Sequence, residues 1–116
     1  MSAKPANRSP LYGRVAVITG ASSGIGAAVA SALVKQGCHV ALGARRLEAL
    51  EAVQRNFGVA EGKSIIRATD VTDRKQVEEL VRAATSELGP VDILVSCAGV
   101  MYFTMMANVQ TEEWER

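Results

Sequence analysis

The stretch that most constrains this chain is Thr19-Gly20-Ala21-Ser22-Ser23-Gly24-Ile25-Gly26, where glycines at 20, 24 and 26 follow a short apolar run and lead into a helical pattern. Glycine is costly in backbone entropy, so three in one turn point to steric needs that no other residue meets. Gly20 suits a sharp turn off a strand. Gly24 removes a Cβ where a bulky group could approach the backbone, and Gly26 lets a helix lie close to a sheet. A helix that starts here presents N–H groups and the positive end of its dipole, which together suit a phosphate. A turn that only permits close packing is the plainer alternative.

The flanking pattern is an alternation of strands and helices. Residues 14–19 (RVAVIT) form a short β-rich run, and Ile25, Ala28, Val29, Ala32 and Leu33 then fall on one helical face. Ser22 or Ser23 can cap that helix, and Gly37 sits where a C-terminal glycine belongs. Residues 40–44 make a second strand. Leu47, Leu50, Val53 and Phe57 mark a second amphipathic helix, stopped by Gly58. Residues 64–68 (SIIRA) are a third strand. Asp73 caps a third helix, with Gln76 three residues on as in a capping box. Its apolar face is Val77, Leu80, Val81, Ala84 and Leu88, and Gly89-Pro90 ends it. Residues 91–96 (VDILVS) are a fourth strand, and Thr111 with Glu112 and Glu113 opens a further helix carrying Trp114. The order predicts an α/β, doubly wound parallel sheet with right-handed helical crossovers. Residues 1–13, polar and broken by Pro5 and Pro10, read as a flexible leader with no apolar signal segment, which points to the cytoplasm.

Composition agrees with this. Hydrophobic residues make up 48% of the chain and aromatics only 4%, so the core is built from Val, Ile, Leu and Ala, as strands covered on both faces require. That apolar content excludes disorder, and two cysteines, Cys38 and Cys97, are too few for a disulfide scaffold or a metal cluster. Both read as buried thiols, and His39, the single histidine, reads as a strand residue. No apolar run is long enough to span a membrane. The net charge of +1 conceals an asymmetry: no acid precedes Glu48, while Lys4, Arg8, Arg14, Lys35, Arg45 and Arg46 are all basic. These charges are scattered, unlike a nucleic-acid arm, and a compact anionic ligand held by the first part of the chain fits them better.

Spacing separates the kinds of phosphate binder. A P-loop would need Gly-Lys-Ser/Thr after four intervening residues, and here Ile25 and Gly26 follow instead. Nor does the glycine spacing match G-x-G-x-x-G. The run T-G-x-x-x-G-I-G resembles the opening motif of the short-chain dehydrogenase/reductase family. The resemblance implies a Rossmann-like domain in which Gly20, Ser22, Ser23, Gly24, Ile25 and Gly26 surround a dinucleotide pyrophosphate. At the end of strand two, where NAD-preferring members carry an acid, this chain has Ala44 followed by Arg45 and Arg46. A guanidinium pairs with a 2′-phosphate that a carboxylate would repel, so NADP(H) is the implied cofactor. Asp70 and Val71 resemble the family's adenine contact. Ala98-Gly99 matches the end of its Asn-Asn-Ala-Gly segment and would border a ribose, while Ser96-Cys97 departs from the Asn pair. Met101, Met105 and Met106 with Tyr102 and Phe103 either line a substrate pocket or pack within a loop.

The family's chemistry uses a Ser, a Y-x-x-x-K pair and an assisting Asn. Tyr12 and Tyr102 are followed four residues on by Ala16 and Met106, so neither belongs to that pair and no catalytic residue is assigned. The resemblance thus implies that residues 14–116 are the cofactor-binding, N-terminal part of a domain truncated after its fourth strand. The activity expected of the full-length form, a homo-oligomer, is hydride transfer between NADP(H) and a small carbonyl or alcohol substrate, with no nucleic-acid or membrane partner. The alternative is a truncated, non-catalytic isoform that binds a nucleotide or a protein partner.

Overall fold

The computed structural model describes residues 9–97. Within them the chain alternates β1 (Val15–Thr19), α1 (Gly24–Lys35), β2 (His39–Ala44), α2 (Leu47–Arg55), β3 (Ser64–Ala68), α3 (Arg74–Glu87) and β4 (Ile93–Ser96). The four strands form one parallel sheet in the order β3-β2-β1-β4. β1 and β2 are central, and apart from His39 at the start of β2 all their residues are buried, which is why they read as continuous apolar runs. Successive β1 residues face opposite ways. Ala16 and Ile18 join the core beneath α1 and α2 with Ala30, Val34, Val40, Leu42, Leu50 and Phe57. Val15 and Val17 join Ala41, Leu80, Ala84 and Leu94 in the second core, on the side of α3. The expected α/β doubly wound, Rossmann-like sheet is what forms.

The strand order reverses direction at β1: the chain steps outward to β2 and β3, then crosses back to β4. The adjacent carboxyl ends of β1 and β4 therefore mark the topological switch point, the place where open α/β sheets take their ligands.

Two sequence expectations change in detail. Of the α1 face expected from Ile25, Ala28, Val29, Ala32 and Leu33, Val29 and Leu33 are partly buried against the core, while Ile25, Ala28 and Ala32 are exposed. Gly26, Ala30 and Val34 are buried instead, and Ile25 is 74% exposed. The helix docks on its smallest side chains, and those carry little hydrophobic signal. The leader expected over residues 1–13 is partly built into the fold, because residues 9–13 form a turn against the end of α1. There Gly13 N–H donates to the Gly37 carbonyl at 3.0 Å, Ser9 Oγ donates to Gln36 Oε1 at 2.6 Å, and Leu11 packs on the core.

The amino edge of the sheet is closed by polar contacts of its own. Asp92 Oδ2 accepts the Val15 N–H at 3.0 Å, and His39 Nδ1 accepts the Lys63 N–H at 3.0 Å. Beside them Gly62 lies against the main chain of Cys38, where an added Cβ would stand 1.9 Å from the carbonyl oxygen. Neither backbone can yield without shifting a strand. Gly62→Ala is therefore expected to destabilise the domain by about 1–3 kcal/mol or more, the usual range for overpacking. Urea unfolding followed by circular dichroism measures this, and an unchanged midpoint would contradict it.

Candidate functional site

Because all four strands are parallel, the turns after Thr19, Ala44, Ala68 and Ser96 emerge along one edge of the sheet. The β1–α1 turn is built first. Gly20 adopts φ +68°, a left-handed conformation that favours glycine, and sends the chain sharply off the strand. Ser23, not Ser22, caps α1: its Oγ accepts the Gly26 N–H at 3.0 Å and donates to the Gly20 carbonyl at 2.9 Å. The Ser23 hydroxyl is thus committed within the turn, while Ser22 is exposed. Among the described residues the N–H groups of Gly24 and Ile25 have no hydrogen-bond partner. They lie at the positive end of the α1 dipole.

The two helical glycines differ in kind. A Cβ on Gly26 would stand 2.4 Å from the Gly20 carbonyl oxygen and 2.9 Å from the Ala21 Cα, so helix and turn touch main chain to main chain. Among the described residues, a Cβ on Gly24 would meet nothing within 4 Å. Gly26 is required by the fold itself, whereas Gly24 is free of such contact among the described residues.

The β2 and β3 turns place charge beside this opening. Arg45 and Arg46 follow β2, both exposed. Arg45 Nη2 lies 3.7 Å from Asp70 Oδ1, joining the ends of β2 and β3, while Arg46 Nε lies 3.9 Å from Glu48. Asp70 Oδ1 also accepts the Thr72 N–H at 2.9 Å and the Thr72 hydroxyl at 2.7 Å. The two Thr72 bonds, then the Arg45 guanidinium, hold the Asp70 carboxyl below the usual carboxylate range. Gln76 does not close the expected capping box. Its Oε1 accepts the Asp70 N–H at 2.8 Å, and its Nε2 donates to Asp73 Oδ2 at 3.2 Å. Asp73 still caps α3, accepting the Lys75 N–H at 3.0 Å. Thr72 is the participant that sequence reasoning missed, although Asp-x-Thr is itself a signal for a side-chain-closed turn.

On the other side of β1, Thr19 pairs in register with Ser96, and the Cys97 N–H donates to the Thr19 carbonyl at 3.0 Å. The Thr19 hydroxyl is buried with no partner among the described residues. Val71 lies half-buried after Asp70. The remaining sequence candidates, Ala98 and Gly99, lie outside the described residues, as do Met101, Tyr102, Phe103, Met105, Met106, Thr111 and Trp114. Among the described residues there is no metal-binding cluster, and no helix is long and apolar enough to cross a membrane. Gly20, Ser22, Ser23, Gly24, Ile25, Gly26, Arg45, Arg46, Asp70 and Val71 therefore share one sheet edge. It combines a pair of unpartnered main-chain donors, a guanidinium and an ionised carboxylate, a set suited to a ligand with separated anionic groups and an amine.

The sequence and the fold both resemble known proteins. Residues 14–116 match the sequence model of the family described as short chain dehydrogenase. The chain is 68% identical over 112 residues to the glycine betaine reductase of Emericella nidulans, covering 97% of this chain and 9% of that protein. It is 46% identical over 105 residues to an uncharacterized oxidoreductase of Staphylococcus haemolyticus, covering 90% of this chain and 45% of that protein. Among solved structures, a metagenomic short-chain oxidoreductase in complex with NADP superposes with a TM-score of 0.71 at 41% identity, over 79% of this chain and 42% of that one. The short-chain dehydrogenase/reductase of Serratia marcescens superposes with a TM-score of 0.72 at 40% identity, over 79% of this chain and 38% of that one. The chain thus spans less than half the length of each of these relatives.

The two glycines make a paired prediction. Gly26→Ala should cost about 1–3 kcal/mol through the clash with Gly20. Gly24→Ala should leave thermal stability unchanged or raise it by up to about 1 kcal/mol, because alanine favours the helix. Equal losses in both melts would contradict the assignment. A second prediction concerns the thiols. Burial, then the Asp92 carboxylate, push the Cys38 thiol up, while Cys97 is partly exposed rather than buried as expected. Maleimide labelling of the native chain should modify Cys97 first and Cys38 only on unfolding; rapid native labelling of Cys38 would contradict this.

Proposed function

The chain belongs to the short-chain dehydrogenase family, and we propose that it carries the NADP(H)-binding segment of an oxidoreductase acting on a carbonyl/alcohol pair. The observation that supports this reading most is a guanidinium, Arg45, directly after Ala44, the position where NAD-preferring members carry a carboxylate. Arg45 stands at the end of β2, on the same edge as the open β1–α1 turn. The cradle fits a dinucleotide on steric grounds as well, since Gly24 leaves open space in front of unpartnered N–H groups.

In this proposal the Gly24 and Ile25 N–H groups bind the pyrophosphate at the α1 dipole, with the exposed Ser22 beside them. Gly20, Ser23 and Gly26 act through shape, holding the turn that aims those donors. Arg45, with Arg46 adding charge, binds a 2′-phosphate, and Asp70 with Val71 meets the adenine edge. Ala98 and Gly99 border the nicotinamide ribose by family resemblance alone. When bound, the nicotinamide supplies or accepts the hydride. The Y-x-x-x-K pair that the family uses for proton transfer is not among these 116 residues. Turnover is accordingly proposed only for a chain that carries it.

Similarity to a glycine betaine reductase at 68% identity supports a narrower substrate reading. Hydride transfer requires an aldehyde or ketone rather than a carboxylate. A trimethylammonium aldehyde at the oxidation level below glycine betaine is therefore the substrate class to test first.

Arg45→Ala tests the cofactor reading. Hydrogen bonds to charged groups contribute about 1.5–3 kcal/mol, so the Kd for NADPH should rise about 10- to 100-fold. The Kd for NADH should stay within about twofold, since NADH offers no 2′-phosphate to lose. Calorimetric titration measures both, and equal weakening of the two cofactors would overturn the assignment.

A further inference from the structure

The Arg45–Asp70 ion pair joins the two groups that the preceding proposal assigns to different parts of one nucleotide. We propose that Asp70 is a specificity-determining residue that restrains Arg45, so that preference for a 2′-phosphate is set by the pair and not by the arginine alone. This rests on the NADP(H) reading above and deepens it.

The two partners are held very differently. Asp70 is fixed from three directions. Its Oδ1 accepts both the Thr72 N–H at 2.9 Å and the Thr72 hydroxyl at 2.7 Å. Its own N–H donates to Gln76 Oε1 at 2.8 Å, and its carbonyl accepts the Asp73 N–H at 2.9 Å. Gln76 is in turn tied to the α3 cap through Asp73 Oδ2 at 3.2 Å. Arg45, by contrast, has a side chain 72% exposed, and its one described side-chain partner is Asp70 Oδ1 at 3.7 Å. The carboxylate is the fixed element, and the guanidinium rests upon it.

A phosphate that reaches Arg45 therefore meets two opposing consequences of that carboxylate. It must share a guanidinium already paired with Asp70, and it must sit within a few ångströms of a negative charge that cannot swing away. The two Thr72 bonds favour the ionised form of that carboxylate. Both consequences lower the gain from the 2′-phosphate, and neither touches a nucleotide that lacks it. Removing the charge while keeping the shape should sharpen discrimination, even though the adenine contact proposed for Asp70 suffers.

The test compares 2′,5′-ADP with 5′-AMP, which differ only in the 2′-phosphate, by calorimetric titration of the wild-type chain and Asp70→Asn. Asparagine keeps an acceptor for Thr72 and loses the charge. The Asp70 side chain is 37% exposed, and a thermal melt of Asp70→Asn checks that the fold is retained. Both probes are expected to bind Asp70→Asn more weakly. The ratio of their affinities should nevertheless rise about 2- to 5-fold in favour of 2′,5′-ADP, the scale expected of an exposed charge pair. A purely structural role would weaken both probes equally and leave the ratio unmoved, which overturns the proposal. A falling ratio would mean that Asp70 presents Arg45 to the phosphate, and overturns it too. Should wild type show no preference between the probes, the NADP(H) reading itself fails and this inference with it. That outcome is distinguishable because it appears before any substitution is made.

Discussion

The structure depends first on a contact between two pieces of main chain, the first turn of α1 and the Gly20 carbonyl. With no Cβ at residue 26, the helix start lies directly against the turn, and Ser23 bridges them by donating to Gly20 and accepting from Gly26. That contact fixes the axis of α1 relative to β1. It also decides which helical N–H groups are used within the fold: the Gly26 donor is taken, while those of Gly24 and Ile25 have no partner among the described residues. The geometry that packs the helix is therefore the same geometry that leaves main-chain donors at the positive end of its dipole.

Parallel topology does the rest. With every strand running the same way, the turns after β1, β2 and β3 are brought to one edge, although Gly20, Arg45 and Asp70 are far apart in the sequence. The charge asymmetry of the chain thereby acquires a spatial meaning. The acid-free first segment ends at Arg45 and Arg46 on that edge, and one of the acids that follow, Asp70, faces Arg45 directly. Specificity at such a site is a property of the pair. An exposed ion pair contributes little to stability, yet it changes what either partner can offer a third charge.

Much of the fold was legible because its signals are local. The buried strands announce themselves as unbroken runs such as VAVIT, and Asp73 and Gly37 mark helix ends through capping chemistry that depends on a few neighbours. On α1, hydrophobic periodicity picks out Val29 and Leu33, which pack on the core, but also Ile25, which faces solvent, because a helix that docks on Gly26 and Ala30 buries little apolar area at its closest point. At the site, the glycines and the arginines were visible as residue types. Their partners were not, since the Arg45–Asp70 pair and the Gln76–Asp70 bond exist only once β2, β3 and α3 have come together. A capping-box spacing at Asp73 and Gln76 is compatible with either geometry, and tertiary structure chose the one that steadies Asp70.

The central claim is that the carboxyl edge of the sheet, organised by the β1–α1 turn, binds a 2′-phosphorylated dinucleotide. Amide NMR of the isotopically labelled chain titrated with NADP tests it most directly. Chemical-shift changes should concentrate at Ser22, Gly24, Ile25, Gly26, Arg45 and Asp70, while Gly37, His39 and Gly62 at the opposite edge stay unmoved. Changes centred on that opposite edge, or none anywhere at millimolar nucleotide, would contradict it.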